Sequence, residues 1–65
     1  MDNDIKNQLF AELERDYPRL AGIGPDRAYE ALSRICRTEG RPITVEQMLR
    51  YAVVLEDDLE HDELV

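Results

Sequence analysis

Hydrophobic residues recur along most of the chain at intervals of three and four, the spacing of one face of an α-helix. Two clusters of Pro and Gly interrupt this pattern, at residues 18–25 and 40–42. Pro lacks the amide proton that a helix interior needs, and Gly loses more backbone entropy there, so both clusters mark helix ends. The pattern predicts an all-α fold, a small three-helix bundle with helices at about residues 2–17, 25–39 and 44–60.

The first two predicted helices each have one apolar face. Segment 18–24 between them is expected to be a connector whose Leu20 and Ile23 close one end of the core. Gly40 follows the second helix and fits a left-handed C-terminal cap. The apolar face of the first helix consists of Ile5, Leu9, Phe10, Leu13 and Tyr17. The apolar face of the second consists of Ala28, Tyr29, Leu32, Ile35 and Cys36.

The third predicted helix opens with a capping box, in which Thr44 caps the helix and Gln47 reaches back to the first residue. The helix is expected to fray near Glu60, which leaves residues 61–65 as an acidic tail on a single domain of residues 1–60. Its apolar stripe is expected to comprise Val45, Met48, Leu49, Ala52, Val53, Leu55 and Leu59.

Charge is segregated along the chain, whose formal net charge is -7. Residues 1–17 hold five acids and two bases, residues 18–43 hold three acids and five bases, and residues 44–65 hold seven acids and one base. Two interpretations stay open. Either the acidic flanks neutralise the basic middle within one fold, helped by helical pairs such as Glu30 with Arg34, or an acidic face meets a basic partner. The secondary basic face consists of Arg27, Arg34 and Arg37.

Catalytic chemistry is not indicated, so we expect neither an enzyme nor a bound cofactor. The one His, His61, lies in a run of acids near the C-terminus, and Cys36 falls on an apolar face, where core packing is the favoured role. No serine elbow, glycine-rich phosphate loop or paired zinc-ligand motif occurs. Asp57 and His61 are four residues apart, as are Glu56 and Glu60, but calcium-loop spacing is absent, so we expect no metal site.

The composition also suggests a compartment. The longest apolar run, residues 51–55, is too short to span a membrane, and no apolar stretch follows the N-terminus, so we expect no secretory signal. A single cysteine suits a reducing environment. We therefore expect a cytoplasmic protein. Its acidic balance argues against nonspecific binding to nucleic acid and to anionic membranes.

In size, acidity and lack of catalytic groups, the chain resembles small phage-encoded inhibitors, including anti-CRISPR proteins and DNA mimics. The resemblance covers composition, and the chain carries no motif of one particular family. It implies an inhibitor whose carboxylates take the place of phosphates. The acids at positions 12, 14 and 16 and at 56–63 are the ones spaced to do so, whereas the arginines of the second helix depart from a purely mimetic surface.

The sequence thus predicts a non-catalytic acidic protein-binding module, an inhibitor or regulator that occludes a basic, nucleic-acid-binding surface of a partner protein. Acids near the C-terminus would steer the encounter. Tyr51 and Val54, which projects opposite the core stripe, would make the short-range contact. The predicted partner-binding residues are Gln47, Arg50, Tyr51, Val54, Glu56, Asp57, Asp58 and Glu60.

Two alternatives remain. In a helix-turn-helix DNA-binding regulator, Gln47 and Arg50 would meet base edges. The acids that end this helix would repel phosphate, however, and the turn at about residues 39–43 is longer than usual. In a small homo-oligomeric structural protein, self-association would bury apolar edges, and the sequence leaves monomer and homodimer open. Phosphate contacts in the DNA-binding alternative would come from Arg27, Arg34, Arg37 and Arg41.

Overall fold

The computed structural model describes the backbone of residues 2–64 and the side chains of residues 4–61. Within these residues the chain forms helices and no strand, which confirms the predicted small all-α bundle. Three long helices lie close to their predicted positions, and a fourth, short helix is inserted after the first. The helices are α1 (Asp2–Asp16), α2 (Pro18–Gly22), α3 (Pro25–Thr38) and α4 (Val45–Leu64).

All four helices contribute to one core. The apolar faces predicted for α1 and α3 face this core. Those of their residues that are not fully buried are partly buried at the edge of the core. Ser33 is buried among these apolar groups, and its hydroxyl donates a hydrogen bond of 3.1 Å to the Glu30 carbonyl one turn earlier. The fully buried apolar residues are Leu9, Leu13, Leu20, Ala28, Leu32, Cys36, Met48 and Ala52.

The short helix α2 occupies the segment that was expected to be a connector. Tyr17, with φ -134° and ψ 69°, leaves helical geometry, as a residue that precedes Pro tends to do. Pro18 then begins a new helix, because its fixed φ suits the first helical position. Leu20 is buried and closes the core as predicted. The prediction for Ile23 is wrong: it follows the last residue of α2 and is 39% exposed.

The end of α3 is the left-handed cap predicted from Gly40, whose φ is +69°. The Gly40 amide donates to the Arg37 carbonyl at 3.2 Å, and the Arg41 amide donates to the Cys36 carbonyl at 2.8 Å. These two bonds form a Schellman motif, which satisfies carbonyls that the helix leaves free at its end. A side chain at Gly40 would be strained in this conformation.

The start of α4 is capped by Thr44, as predicted. Its hydroxyl oxygen accepts a hydrogen bond of 3.1 Å from the Gln47 amide. The amide of Thr44 itself donates to the Pro42 carbonyl at 3.1 Å, so a turn bond takes the place of the return bond expected from the Gln47 side chain. The helix continues to Leu64 rather than fraying near residue 60. The side chains of residues 62–65, most of the predicted acidic tail, lie outside the described side chains.

The apolar stripe of α4 differs from the prediction at one residue. Val53 was placed in the core but is 55% exposed. The inward direction of α4 is set by Met48 and Ala52, which are fully buried. Val53 follows Ala52 by about 100° of rotation and therefore lies beyond the edge of the stripe.

Replacing Thr44 with Ala should lower the free energy of unfolding by about 1 kcal/mol, because the Gln47 amide loses its acceptor. Thr38→Ala is the matched control, since Thr38 is an exposed threonine in the last turn of α3. It should change the free energy by less than about 0.5 kcal/mol. Urea unfolding followed by far-UV circular dichroism measures both. Equal effects of the two substitutions would contradict a capping role for Thr44.

Candidate interaction surface

The carboxylate of Glu56 lies inside the fold, although the sequence placed it among the partner-binding acids. The side chain is only 12% exposed. One carboxylate oxygen accepts a hydrogen bond of 2.9 Å from the Leu20 amide, and the other accepts one of 3.3 Å from the Arg19 amide. The Arg19 guanidinium lies 3.7 Å from the second oxygen. Both oxygens of this carboxylate therefore accept hydrogen bonds from α2 rather than from solvent.

Glu56 acts as a cap for α2 from a distant part of the chain. Pro18 has no amide proton, and Tyr17 makes no side-chain capping bond, so the amides of Arg19 and Leu20 need an outside acceptor. A carboxylate suits this position because the N-terminus of a helix carries partial positive charge. The role of Glu56 is thus structural, and its carboxylate does not belong to the exposed acidic surface of α4.

A sequence signal for this role exists in the spacing of α4. Glu56 follows Leu49 by seven residues and Ala52 by four, and it precedes Leu59 by three, so it occupies a core position in the heptad spacing of the stripe. A lone acid at a core position needs hydrogen-bond donors. In a helix that begins with Pro, the next two amides have no acceptor within the helix. A core acid and a helix that starts at Pro18 together indicate the contact observed.

The outward side of α4 forms a continuous exposed surface, here called the α4 strip. At its centre Val53 is 55% exposed and Val54 is 58% exposed. Within residues 4–61 these are two of the three large hydrophobic side chains that are exposed. The members of the strip lie within about 100° of arc around the helix axis. The α4 strip consists of Glu46, Arg50, Val53, Val54, Asp57 and His61.

One ion pair and one contact between a His and a carboxylate, both along the helix, flank the valines of the α4 strip. Arg50 lies 3.7 Å from the Glu46 carboxylate, and His61 Nε2 lies 3.5 Å from Asp57 Oδ2. All four side chains are well exposed. Exposed pairs of this kind contribute little stability, so their members can change partners at small cost.

The other predicted contact residues border the α4 strip. Asp58 and Glu60 are exposed, one on each side of it. Gln47 and Tyr51 are half-buried. Tyr51 packs against the core, so it offers an edge rather than a whole ring to a partner. The structure thus brings the exposed acids of α4 together with two valines.

The secondary basic face lies on α3, where Arg27, Arg34 and Arg37 are all exposed. Arg34 Nη2 forms an ion pair of 3.0 Å with a Glu30 carboxylate oxygen, as predicted from their spacing. A shallow depression on this face is lined by Ala31 together with Arg27, Glu30 and Arg34. The carboxylate of Glu30 in its midst reduces the positive charge of the face.

The side chains that were weighed for catalysis take structural or surface positions. Cys36 is fully buried, as predicted for a core residue, and burial raises the pKa of its thiol. The thiolate needed for nucleophilic attack is therefore disfavoured. His61 is exposed and paired with Asp57. Among the side chains of residues 4–61, no three of His, Cys, Asp or Glu are grouped so as to hold a metal ion.

Comparison of the chain with protein-family models, with curated proteins and with solved structures gave no match. None of the helices in residues 2–64 combines the length and the apolar content needed to cross a membrane.

Replacing Glu56 with Ala should lower the free energy of unfolding by about 2 kcal/mol, because two amides of α2 lose their acceptor. Glu56→Gln keeps an acceptor oxygen without the charge and should fall between Ala and the original residue. Asp57→Ala removes an exposed neighbouring acid and should cost less than about 0.5 kcal/mol. The measurement is urea unfolding at neutral pH. If the two alanine variants proved equally stable, Glu56 would not be the cap of α2.

Proposed function

We propose that this chain is a non-catalytic acidic protein-binding module that occludes a basic, nucleic-acid-binding surface of a partner protein. The observation that carries the proposal is the composition of the outward side of α4. Val53 and Val54 are exposed side by side, and Asp57, Asp58 and Glu60 are exposed around one end of this pair. Protein interfaces have this anatomy, with an apolar centre and a charged rim.

The charge of the chain supports a basic partner. Residues 44–65, which include α4, hold seven of the 15 acids and only one base. An acidic region of this kind attracts a basic surface over long distances and raises the rate of encounter. Surfaces that bind nucleic acid are strongly basic because they neutralise phosphates. The resemblance in size and acidity to small phage-encoded inhibitors agrees with this target.

The proposed contact differs in two residues from the one predicted from sequence. Val53 is added, because it is exposed beside Val54, and Glu56 is removed, because its carboxylate is bound to α2. Tyr51 contributes its exposed edge. Since Cys36 is the single cysteine and is a free, buried thiol, we place the proposed activity in the cytoplasm, whose reducing conditions suit such a residue.

The alternative of a DNA-binding helix-turn-helix has less support. Residues 39–44 separate α3 from α4, a connection longer than the usual 3–4 residues. Arg50, the basic side chain that would contact DNA base edges, forms an ion pair with Glu46. Asp57 lies on the same side of the helix. The acids of α4 would approach phosphates directly.

A mobility-shift experiment with mixed-sequence DNA at low salt separates the two classes of function. The acidic module should give no shift at any protein concentration tested, since the carboxylates of α4 repel the DNA backbone. A shift that is lost in Arg50→Ala would favour the helix-turn-helix and contradict the proposal, provided that circular dichroism shows the variant to be folded.

The proposal itself is tested with proteins captured from a cell lysate on the immobilised chain at low salt. Each captured protein is assayed for nucleic-acid binding with and without the chain. We expect at least one of them to lose nucleic-acid binding when the chain is added. Changing Asp57, Asp58 and Glu60 to Lys should then slow its association by about 10- to 100-fold at low salt, and added salt should shrink the difference.

A matched variant controls for net charge. Changing Glu14, Asp16 and Glu39 to Lys makes the same change in charge at exposed positions away from α4. It should slow association much less, because proximity to the docking surface decides the strength of steering. Equal slowing in both variants would contradict the assignment to α4. Failure of every captured protein to release nucleic acid would contradict the proposed function.

A further inference from the structure

The α4 strip has an internal symmetry that its sequence does not make obvious. Its centre falls between Val53 and Val54. At a rise of about 1.5 Å per residue, Arg50 lies about 5 Å from this centre in one direction and Asp57 about 5 Å in the other. Glu46 and His61 lie about 11 Å from the centre on opposite sides. Each charged or polar group thus has a complementary group at the same distance from the middle.

We propose that the α4 strip binds the α4 strip of a second copy of this chain, with the two helices antiparallel. A two-fold axis through the centre of the strip brings together residues at equal distances on opposite sides. Arg50 of each copy then meets Asp57 of the other. Glu46 meets His61, whose imidazole can donate a hydrogen bond to a carboxylate. The four valines meet at the axis.

Charge selects this arrangement over its neighbours. A parallel pairing would set Glu46 beside Glu46 and Arg50 beside Arg50. An antiparallel pairing displaced by one heptad would set Arg50 against Arg50 or Asp57 against Asp57 on the axis. Like charges in contact are unfavourable, so one orientation and one register stand out.

The exposed state of the α4 strip is compatible with such a contact. The distance from nitrogen to carboxylate oxygen is 3.7 Å in the pair Glu46–Arg50 and 3.5 Å in the pair Asp57–His61. Both pairs lie within one helix, and all four side chains are exposed to solvent. In the dimer these groups exchange partners along the helix for partners across it. Because each copy contributes one helix face, the contact is small, and we expect a weak dimer that exchanges with monomer.

Self-association and the proposed partner binding use the same valines, so each excludes the other. The dimer does not depend on the existence of a partner, however. It is measured with the purified chain alone, so failure of the dimer leaves the proposed function untouched, and failure of the proposed function leaves the dimer untouched.

Sedimentation equilibrium is the primary experiment, at protein concentrations from about 10 μM to about 1 mM, a range that brackets weak contacts. The average mass of the original chain should rise from 7.6 kDa toward twice that value. Arg50→Asp places Asp against Asp57, and Asp57→Arg places Arg against Arg50. Each single variant should therefore raise the dissociation constant by about tenfold or more, since two contacts change in each dimer.

Mixing the two single variants gives the decisive result. Each single variant should associate only weakly with itself, but in the mixed dimer Asp at position 50 and Asp57 of one copy meet Arg at position 57 and Arg50 of the other. We expect the mixture to form a heterodimer, and the double variant with both exchanges to regain self-association. A merely structural effect of either substitution would not produce this recovery.

Arg34→Asp is the matched control. It makes the same substitution and also breaks an ion pair four residues apart, with Glu30, but on α3. It should dimerise like the original chain. The proposal is overturned if the original chain stays monomeric throughout, which would leave the α4 strip open for another protein. It is also overturned if Arg50→Asp dimerises unchanged, or if the mixture of single variants fails to associate.

Discussion

The bond between the Glu56 carboxylate and the two amides of α2 is the contact on which the arrangement of the whole bundle depends. It joins the middle of the longest helix to a helix of five residues that is too short to persist alone. Once α2 is held there, Leu20 enters the core between the longer helices. A charge at this depth is tolerable only because its oxygens are hydrogen-bonded. Because Glu56 has to reach these amides, the contact also determines the rotation of α4 about its axis and its position along that axis relative to α2.

Most of the fold followed from local rules in the sequence. The breaks at Pro18 and Gly40 set the ends of the long helices, and the threonine before α4 set its start. The short helix α2 was not predicted, because seven residues between two helices carry too little periodicity to separate a turn from a helix. Its stability comes from the distant Glu56, and no local pattern contains that information.

The candidate surface was harder to predict than the core. Val54 was placed on the outside correctly, since it opposes the apolar stripe. Val53 was misplaced because a stripe read from sequence has no sharp edge, and Val53 lies about 100° around the helix from the fully buried Ala52. The charge symmetry of the α4 strip depends on His61 being helical, and the helix was expected to fray one residue before it.

The long reach between the Thr44 cap and Glu56 has a consequence for how such a chain can change in length. One residue inserted in this interval would turn everything after it by about 100°. The Glu56 carboxylate would move away from the amides of α2, and Leu55, which offers no acceptor, would take its place. Length variation should therefore accumulate in the turn before α4, and the roughly three helical turns between Thr44 and Glu56 should keep a constant length.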